Sequence, residues 1–244
     1  MKIPVAILAG GLATRLRPLT STLPKAMVDI CGQPFLSHQL SLLRKQGLTD
    51  IVVCVGFEGK QIESYFGNGK DFGVDLTYSY DGDTLLGTGG ALRQAFPFLG
   101  DVFMVLYGDS YLDIDYRPAI EAFLEQHQGN VSDSPLALMT VYQNEGHYDQ
   151  SNVLFRQGHL LQYDKQHPNA EMRHIDWGLG ILSKKAFSYT RNSGAFDLAD
   201  LYQSLVSSKK LMGFEVFTRF YEMGSHQGLE ELKALIKERK SDQA

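Results

Sequence analysis

The sequence lacks any apolar run long enough to cross a membrane. No stretch of about eighteen apolar residues occurs among its 244 residues, so a transmembrane helix is not expected. The first apolar stretch runs from Ile3 only to Ala9, is interrupted by Gly10 and Gly11, and is followed by arginines. This order does not fit a secretory signal peptide. We therefore expect a cytoplasmic protein.

Basic residues and cysteines are also few. The chain has 23 Lys and Arg against 28 Asp and Glu, which gives a formal net charge of -5. General binding to nucleic acid or to a membrane surface needs an excess of positive charge, so neither partner is expected. The two cysteines, Cys31 and Cys54, match no metal-binding spacing and form no disulfide framework. Any site for an anion must therefore be local.

Apolar runs of strand length alternate with helical patterns over the first 125 residues. The runs lie at 3–9, 51–56 and 102–109, and helical patterns end at Gly47 and Gly67 or open near Thr88. Continuous apolar runs are typical of strands covered on both faces. The alternation predicts a Rossmann-like, mostly parallel, doubly wound α/β sheet with ligands at the carboxyl ends of its strands.

Beyond residue 130 the pattern changes to short strands separated by turns. We expect a smaller antiparallel part there, followed by a helix capped near Asp197. The segment 213–224, "GFEVFTRFYEMG", predicts a hairpin or paired strands, and an amphipathic helix closes the chain. The whole is expected to form one domain, with halves at about 1–130 and 131–225 and a C-terminal helix at 226–244.

The most informative segment is "LAGGLATRLRPLTSTLPKAM", residues 8–27. A glycine pair after a strand brings backbone amides close to a ligand, commonly a phosphate. The spacing fits neither a dinucleotide fingerprint nor a P-loop. Arg15, Arg17 and Lys25 supply three cations in a loop that Pro18 and Pro24 stiffen. A polyphosphate suits such a loop, although a solvated loop with paired arginines remains an alternative.

This segment resembles the signature GGxxTRLxPxTxxxPKxM of the sugar-1-phosphate nucleotidyltransferases, or NDP-sugar pyrophosphorylases. The resemblance implies the nucleotide-diphospho-sugar transferase fold and catalytic roles for Arg15 and Lys25. It also implies a set of nucleotide-binding positions in this segment. These are Leu8, Gly10, Gly11, Thr14 and Arg15.

Two further segments resemble motifs of the same family. "LLGTGGAL", residues 85–92, is similar to the LGTxGAL loop, which implies that Gly87, Thr88 and Gly89 border the base and ribose. "LYGDSYLD" places Asp109 after a strand, where the family holds Mg²⁺. The expected partner acid is Glu222, in a segment where the family usually has Asp. Because Glu is longer by a methylene, direct binding, binding through water and no binding all stay open.

The resemblance also implies a binding region for the sugar phosphate. Its members are Gly108, Asn152, Asp164, Lys165 and Asp176. Asp176 stands where the family commonly has Asn, so a hydroxyl group opposite it must donate. Ordinary polar groups at strand ends are the alternative for several of these residues. Trp177 either stacks on a sugar or packs in the core.

The expected activity is transfer of a nucleoside monophosphate from a nucleoside triphosphate to a sugar 1-phosphate, with Mg²⁺ as cofactor. The short chain and the "LLGTGGAL" segment most resemble mannose- and heptose-1-phosphate guanylyltransferases, which favours GTP. CTP or UTP, a non-catalytic nucleotide-sugar sensor, and a glycosyltransferase using the "DID" at 113–115 are the alternatives. The sequence does not decide between a monomer and a homo-oligomer.

Overall fold

The computed structural model describes residues 3–11, 14–16, 18–127 and 133–241. The strands are Val5–Leu8 (β1), Asp29–Ile30 (β2), Gln33–Pro34 (β3), Asp50–Val55 (β4), Asp75–Tyr80 (β5), Val102–Tyr107 (β6), Ser110–Tyr111 (β7), Ala137–Gln143 (β8), Val153–Arg156 (β9), His159–Tyr163 (β10), His174–Ser183 (β11), Leu211–Val216 (β12) and Tyr221–Glu222 (β13). The α-helices are Phe35–Lys45 (α1), Gly59–Phe66 (α2), Gly87–Gln94 (α3), Arg117–His127 (α4), Leu198–Ser207 (α5) and His226–Ser241 (α6). None of the helices in these ranges combines the length and apolar character that crossing a bilayer requires.

One large sheet organises the described residues. Its strands follow the order β10-β9-β11-β6-β1-β4-β5, and β8 pairs with both β11 and β12. Strands β5, β4, β1 and β6 are parallel to one another, whereas β11 runs antiparallel to β6 and to β8. The predicted combination of a parallel, doubly wound half and a smaller antiparallel part is confirmed.

Helices on both faces explain the continuous apolar strands. In β1, Val5 and Ile7 belong to a core that includes Leu40 of α1. Ala6 belongs to a second core, on the opposite face, that includes Leu92 of α3. Because successive side chains of a strand point to opposite faces, a strand between two helical layers needs apolar residues at every position. The same alternation holds for Val52 and the residues beside it in β4.

Of the two alternatives predicted for 213–224, the hairpin is wrong: the segment holds two strands, but they pair with other strands and not with each other. Strand β12 pairs in parallel with β8, and β13 pairs antiparallel with β7. Phe220 is buried in the same core as β1, while Met223 is buried in a third core beneath α6. These two buried side chains draw β13 away from β12 and place it beside the end of β6.

A buried glutamine on α1 holds the turn that follows β6. Gln39 is only 2% exposed, and its Nε2 donates to the carbonyl oxygens of Tyr107 and Ser110, each at 2.9 Å. Between these carbonyls lie Gly108 and Asp109. A Cβ at Gly108 would lie 2.5 Å from the Leu8 oxygen, so this turn packs directly against the end of β1. The turn is therefore fixed from two sides.

Replacing Gln39 tests this clamp. Gln39→Met keeps the approximate volume and removes both donors, which leaves buried carbonyl groups without that partner. We expect the free energy of unfolding in urea to fall by about 1–3 kcal/mol. Gln94→Met, the same change at an exposed position near the end of α3, should leave it nearly unchanged. Equal stability of both variants would show that the clamp contributes nothing.

Candidate active site

A cavity of about 390 Å³ opens at the carboxyl ends of the parallel strands. Many residues predicted from the sequence line it, together with several that were not predicted. The predicted residues in its lining are Leu8, Gly10, Gly11, Arg15, Lys25, Gly87, Thr88, Gly108, Asp109 and Lys165. The additional lining residues are Ala9, Asp81, Leu85, Ala91, Tyr107 and Gly224. The strand order brings together chain segments that lie far apart in sequence.

The N-terminal loop is anchored by buried side chains on both sides of its charges. Thr14 begins a short 3-10 turn that contains Arg15, and a second such turn begins at Lys25. Leu16 is fully buried, and the Pro24 carbonyl accepts the backbone N–H of Met27 at 2.8 Å. Arg15 is exposed and has no ion-pair partner among the described residues. Arg17 lies outside the described residues.

Lys25 and Asp109 form the central ion pair of the cavity. Lys25 Nζ lies 2.6 Å from Asp109 Oδ2, and the two side chains are 14% and 35% exposed. Gly224 lies beside this pair. A Cβ at Gly224 would be 2.9 Å from Arg15 Nη2 and 3.3 Å from Lys25 Nζ. Because Gly224 has no side chain, Arg15 and Lys25 have space to lie beside it.

Glu222, the other predicted metal ligand, does not line this cavity. Its carboxylate accepts the backbone N–H of Gly224, and its Oε1 accepts the Ser225 hydroxyl at 2.7 Å. It borders a separate cavity of about 100 Å³ beside α6. Within the described ranges no cluster of three His, Cys, Asp or Glu side chains is placed to hold a metal.

The glycine-rich segment is fastened to the start of α5. Asp197 caps α5, accepting the Ala199 N–H at 2.9 Å, and it also accepts the Thr88 hydroxyl at 2.9 Å. Gly87 has a φ of +70° and lies against the Phe196 backbone. Gly89 faces the Phe196 ring, which leaves no space for a side chain there. Gly89 therefore serves packing between α3 and α5, while Gly87 and Thr88 border the cavity.

Lys165 reaches the cavity from the antiparallel half. Its Nζ lies 3.6 Å from Asp197 Oδ2, and both side chains are about half exposed. Burial acts to raise the pKa of Asp197, but the Ala199 N–H, the Lys165 charge and the Thr88 hydroxyl together leave it below its ordinary value. Such a long, exposed pair contributes little to stability, so Lys165 is free to exchange partners with a ligand.

Three other predicted residues, Asn152, Asp164 and Asp176, do not line the cavity. Asp164 accepts the backbone N–H groups of Gln166 and His167 at 2.9 and 2.8 Å, and so stabilises a local turn. Asn152 Oδ1 accepts the Asp176 N–H at 3.1 Å. Asp176 Oδ2 lies 3.3 Å from the hydroxyl of Tyr107, which lines the cavity.

Burial raises the pKa of Asp176 to about 6. The Gly178 N–H, the Tyr107 hydroxyl and the Lys165 charge oppose this effect without cancelling it. The carboxyl group therefore titrates close to neutral pH, unlike an ordinary aspartate.

Two features that the sequence offered as alternative ligand-binding groups, the "DID" segment at 113–115 and Trp177, lie away from the cavity. Asp113 of the "DID" segment pairs with Arg239, and Asp115 pairs with Arg117 at 2.5 Å. Neither carboxylate lines the cavity, so the glycosyltransferase alternative has no metal site there. Trp177 is 1% exposed and its indole N–H donates to the Thr218 oxygen at 2.8 Å. Its role is core packing.

Sequence reasoning missed two polar side chains that line the cavity, Asp81 and Tyr107, and the contacts that Asp197 makes with Thr88 and Lys165 of the lining. Asp81 follows β5, Tyr107 ends β6, and Asp197 was identified only as a helix cap. The positions of Asp81 and Tyr107 at the ends of strands could have flagged them, since ligands bind at that edge of the sheet. Asp197 gave no such signal, because a cap explains its identity fully.

Residues 5–146 match the family model described as Nucleotidyl transferase. The chain belongs to this nucleotidyl transferase family. Over 216 residues it is 33% identical to a UTP–glucose-1-phosphate uridylyltransferase of Synechocystis sp., a match that spans 83% of this chain and 55% of that protein. Over 220 residues it is 30% identical to a D-glycero-α-D-manno-heptose 1-phosphate guanylyltransferase of Aneurinibacillus thermoaerophilus, spanning 89% of this chain and 91% of that protein.

A solved structure supports the fold. HddC from Yersinia pseudotuberculosis, crystallised with GMP-PN, superposes with a TM-score of 0.75 over 96% of this chain and 99% of that chain. The sequence identity is 24%, so the likeness concerns the fold. The family model and the fold therefore agree, and the names of the relatives include different bases.

The raised pKa of Asp176 predicts a particular dependence of stability on pH. Because the folded state holds the proton more tightly than the unfolded state, the free energy of unfolding should fall as pH rises from about 4 to about 6. Asp176→Asn removes this titration. Between pH 4 and 7 the wild type should lose up to about 3 kcal/mol relative to the variant. Denaturant titrations at several pH values measure the difference, and parallel curves would contradict the assignment.

Proposed function

We propose that this protein transfers GMP from GTP to a sugar 1-phosphate of the mannose or heptose type, releasing pyrophosphate. The observation that carries the proposal is a single cavity, beside the glycine turn of β1, that holds both Arg15 and the Lys25–Asp109 ion pair. The wider setting is the established family. We assign the nucleotide to residues of about 1–130 and the sugar phosphate to about 131–225, with α6 as a supporting helix.

The charges of the cavity suit a triphosphate. Arg15 has no ion-pair partner among the described residues, and Lys25 neutralises only one carboxylate. Gly10 and Gly11 bring backbone close to the cavity without side chains in between. A polyanion placed here would gain charge-assisted hydrogen bonds from both cations. The proposed nucleotide contacts are therefore Leu8, Gly10, Gly11, Thr14 and Arg15, with Gly87 and Thr88 from the second segment. The predicted Gly89 is not among them, because it packs against Phe196.

Asp109 fits a magnesium ion. Its carboxylate already accepts a cationic group at 2.6 Å from the direction of the cavity, and Mg²⁺ is commonly bound by one or two carboxylates together with substrate phosphates. Asp109 would hold the ion, with Glu222 contributing only if it leaves Gly224 and Ser225. When bound, Mg²⁺ supplies positive charge to the phosphate oxygens.

The reaction requires no protein base. A sugar 1-phosphate has a second pKa of about 6 and is mostly dianionic at neutral pH, so its oxygen can attack the α-phosphorus as pyrophosphate leaves in line. The main obstacles are the repulsion of two polyanions and the charge that spreads over the transferring group. Arg15 and Lys25 reduce the repulsion and stabilise the spreading charge, because their positive charges are already positioned in the cavity before the substrates bind.

The acceptor is proposed to lie between the two halves of the sheet. Lys165 would leave Asp197 and contact the acceptor phosphate. Gly108 offers backbone at the end of β6, and Asp164, Asn152 and Asp176 would face the sugar hydroxyls. Asp176 is hydrogen-bonded to Tyr107, which lines the cavity. We therefore propose that Asp176 acts on the part of the sugar that lies nearest the reacting phosphate.

GTP is favoured by the extent of one match. The guanylyltransferase relative matches over 91% of its length, whereas the match to the uridylyltransferase spans 55% of that protein. Transfer from UTP or CTP is the second candidate, since the uridylyltransferase shares slightly more identity. A sensor that binds nucleotide sugars without turnover is favoured by one observation, the hydrogen bonding of the Glu222 carboxylate to Gly224 and Ser225.

A substrate matrix with variants tests the proposal. Nucleoside triphosphates are combined with sugar 1-phosphates in the presence of Mg²⁺, and pyrophosphate release is measured. Lys25→Ala and Asp109→Asn should each lower kcat/KM by about 10²- to 10³-fold, because each removes one preorganised charge at the phosphates. Lys45→Ala removes the same charge from an exposed position at the end of α1 and should retain activity.

Two results would contradict the proposal. Near-normal turnover by both variants would show that the charges at this cavity do not act on the substrate. Absence of pyrophosphate release across the whole matrix, in a folded protein that still binds nucleotide sugars, would favour the sensor.

A further inference from the structure

Gln39 is a buried polar side chain that the transfer reaction does not use directly. It lies on α1, is 2% exposed and does not line the cavity. Its neighbours Leu36 and Leu40 on the helix are fully buried. Burying an amide costs free energy unless hydrogen bonds replace its lost hydration. The hydrogen bonds of Gln39 are therefore the feature that explains an amide at this position.

Both hydrogens of the Gln39 amide bind the turn that carries Asp109. The nitrogen donates to the carbonyl oxygens of Tyr107 and Ser110, each at 2.9 Å, and a primary amide has no further N–H to give. The two carbonyls belong to residues three positions apart, with Gly108 and Asp109 between them. One nitrogen atom thus fixes the separation of the two ends of the turn.

Backbone contacts hold the middle of the same turn. The Gly108 N–H donates to the Leu8 oxygen at 3.0 Å, and the Asp109 oxygen accepts the Met223 N–H at 2.9 Å. Gln39 differs from these restraints, because it acts through a side chain. A substitution can therefore release the ends of the turn while the backbone contacts remain.

The turn decides where the Asp109 carboxylate points. Its Oδ2 lies 2.6 Å from Lys25 Nζ, and its Oδ1 accepts the Ser110 hydroxyl at 3.3 Å. Mg²⁺ demands near-ideal octahedral geometry with ligands at about 2.0–2.1 Å, whereas Ca²⁺ accepts a more flexible arrangement. Groups that orient a metal ligand without touching the metal typically contribute about 10- to 100-fold to metal affinity.

We propose that Gln39 is a positioning residue for a divalent cation, because it sets the turn that aims the Asp109 carboxylate. The inference rests on the proposed binding of Mg²⁺ and a nucleotide in the cavity, and it adds a residue of α1 that touches neither. Gln39 thereby favours Mg²⁺, the ion with the stricter geometry, over Ca²⁺. Loss of its two donors lowers the affinity for Mg²⁺ more than the affinity for Ca²⁺.

Metal binding by variants tests this role. Mn²⁺ binding to the protein with GDP or UDP, whichever binds more tightly, is followed by the electron paramagnetic resonance signal of free Mn²⁺. Displacement of Mn²⁺ gives the dissociation constants for Mg²⁺ and Ca²⁺. Gln39→Met should weaken Mg²⁺ binding about 10- to 100-fold and Ca²⁺ binding by a smaller factor. In the Asp109→Asn background the same change should add no further loss, because its effect passes through the carboxylate.

A matched variant separates positioning from a loss of stability. Phe123 is fully buried on α4. Ile120 of the same helix shares a cavity with Asp50, the first residue of β4, so this helix lies towards the edge of the sheet opposite the active site. Phe123→Leu should lower the free energy of unfolding, as Gln39→Met does, and keep the wild-type affinity for both ions. Gln39→Asn, which draws the amide back by one methylene, replaces the Met variant if that protein does not fold.

These outcomes are distinct from those that test the proposed function. If the wild type released no pyrophosphate with any substrate pair, the proposed transferase would fail, yet the metal affinities would still decide the role of Gln39. Unchanged Mg²⁺ affinity in Gln39→Met would overturn the inference. Equal losses for Mg²⁺ and Ca²⁺, an equal loss in Phe123→Leu, or a full further loss in the Asp109→Asn background would do the same.

Discussion

The ion pair between Lys25 and Asp109 is the contact on which the site depends. It joins two segments that are 84 residues apart, the stiff N-terminal loop and the turn after β6, at an Nζ to Oδ2 distance of 2.6 Å. On one side the loop is held by buried Leu16, and on the other the turn is held by Gln39. Both side chains of this ion pair are partly buried. The Lys25 ammonium group can bind a polyanion, and the Asp109 carboxylate can bind a hard cation such as Mg²⁺.

The parallel half of the sheet converts this contact into a cavity with two chemically different ends. Strand ends one spacing apart carry the turn residues Asp109, Gly10, Gly56 and Asp81 in spatial order. The glycines keep the middle open, so the backbone itself forms the floor. Positive charge gathers at the β6 end, whereas the Asp81 carboxylate, which follows β5, reaches towards Gly56 and Gly10.

Local rules predicted the features that depend on local sequence. The apolar run of β1 predicted a strand covered on both faces, and the fixed spacing from Gly10 to Lys25 predicted residues that line one cavity. Features set by distant packing could not be predicted. The 213–224 segment did not become a hairpin because buried Phe220 and Met223 occupy different cores. The orientation of Glu222 depends on the N–H of Gly224 and the hydroxyl of Ser225, contacts that a motif does not encode.

The most direct test of the central claim is a crystal structure with a non-hydrolysable GTP analogue and Mg²⁺. The account predicts that the phosphates lie against the Gly10 and Gly11 backbone within hydrogen-bonding distance of Arg15 and Lys25, with the metal on Asp109. It also predicts the base beside Gly87 and Thr88. A nucleotide bound elsewhere, with Arg15 and Lys25 turned into solvent, would contradict the claim that this cationic loop is built to receive a triphosphate.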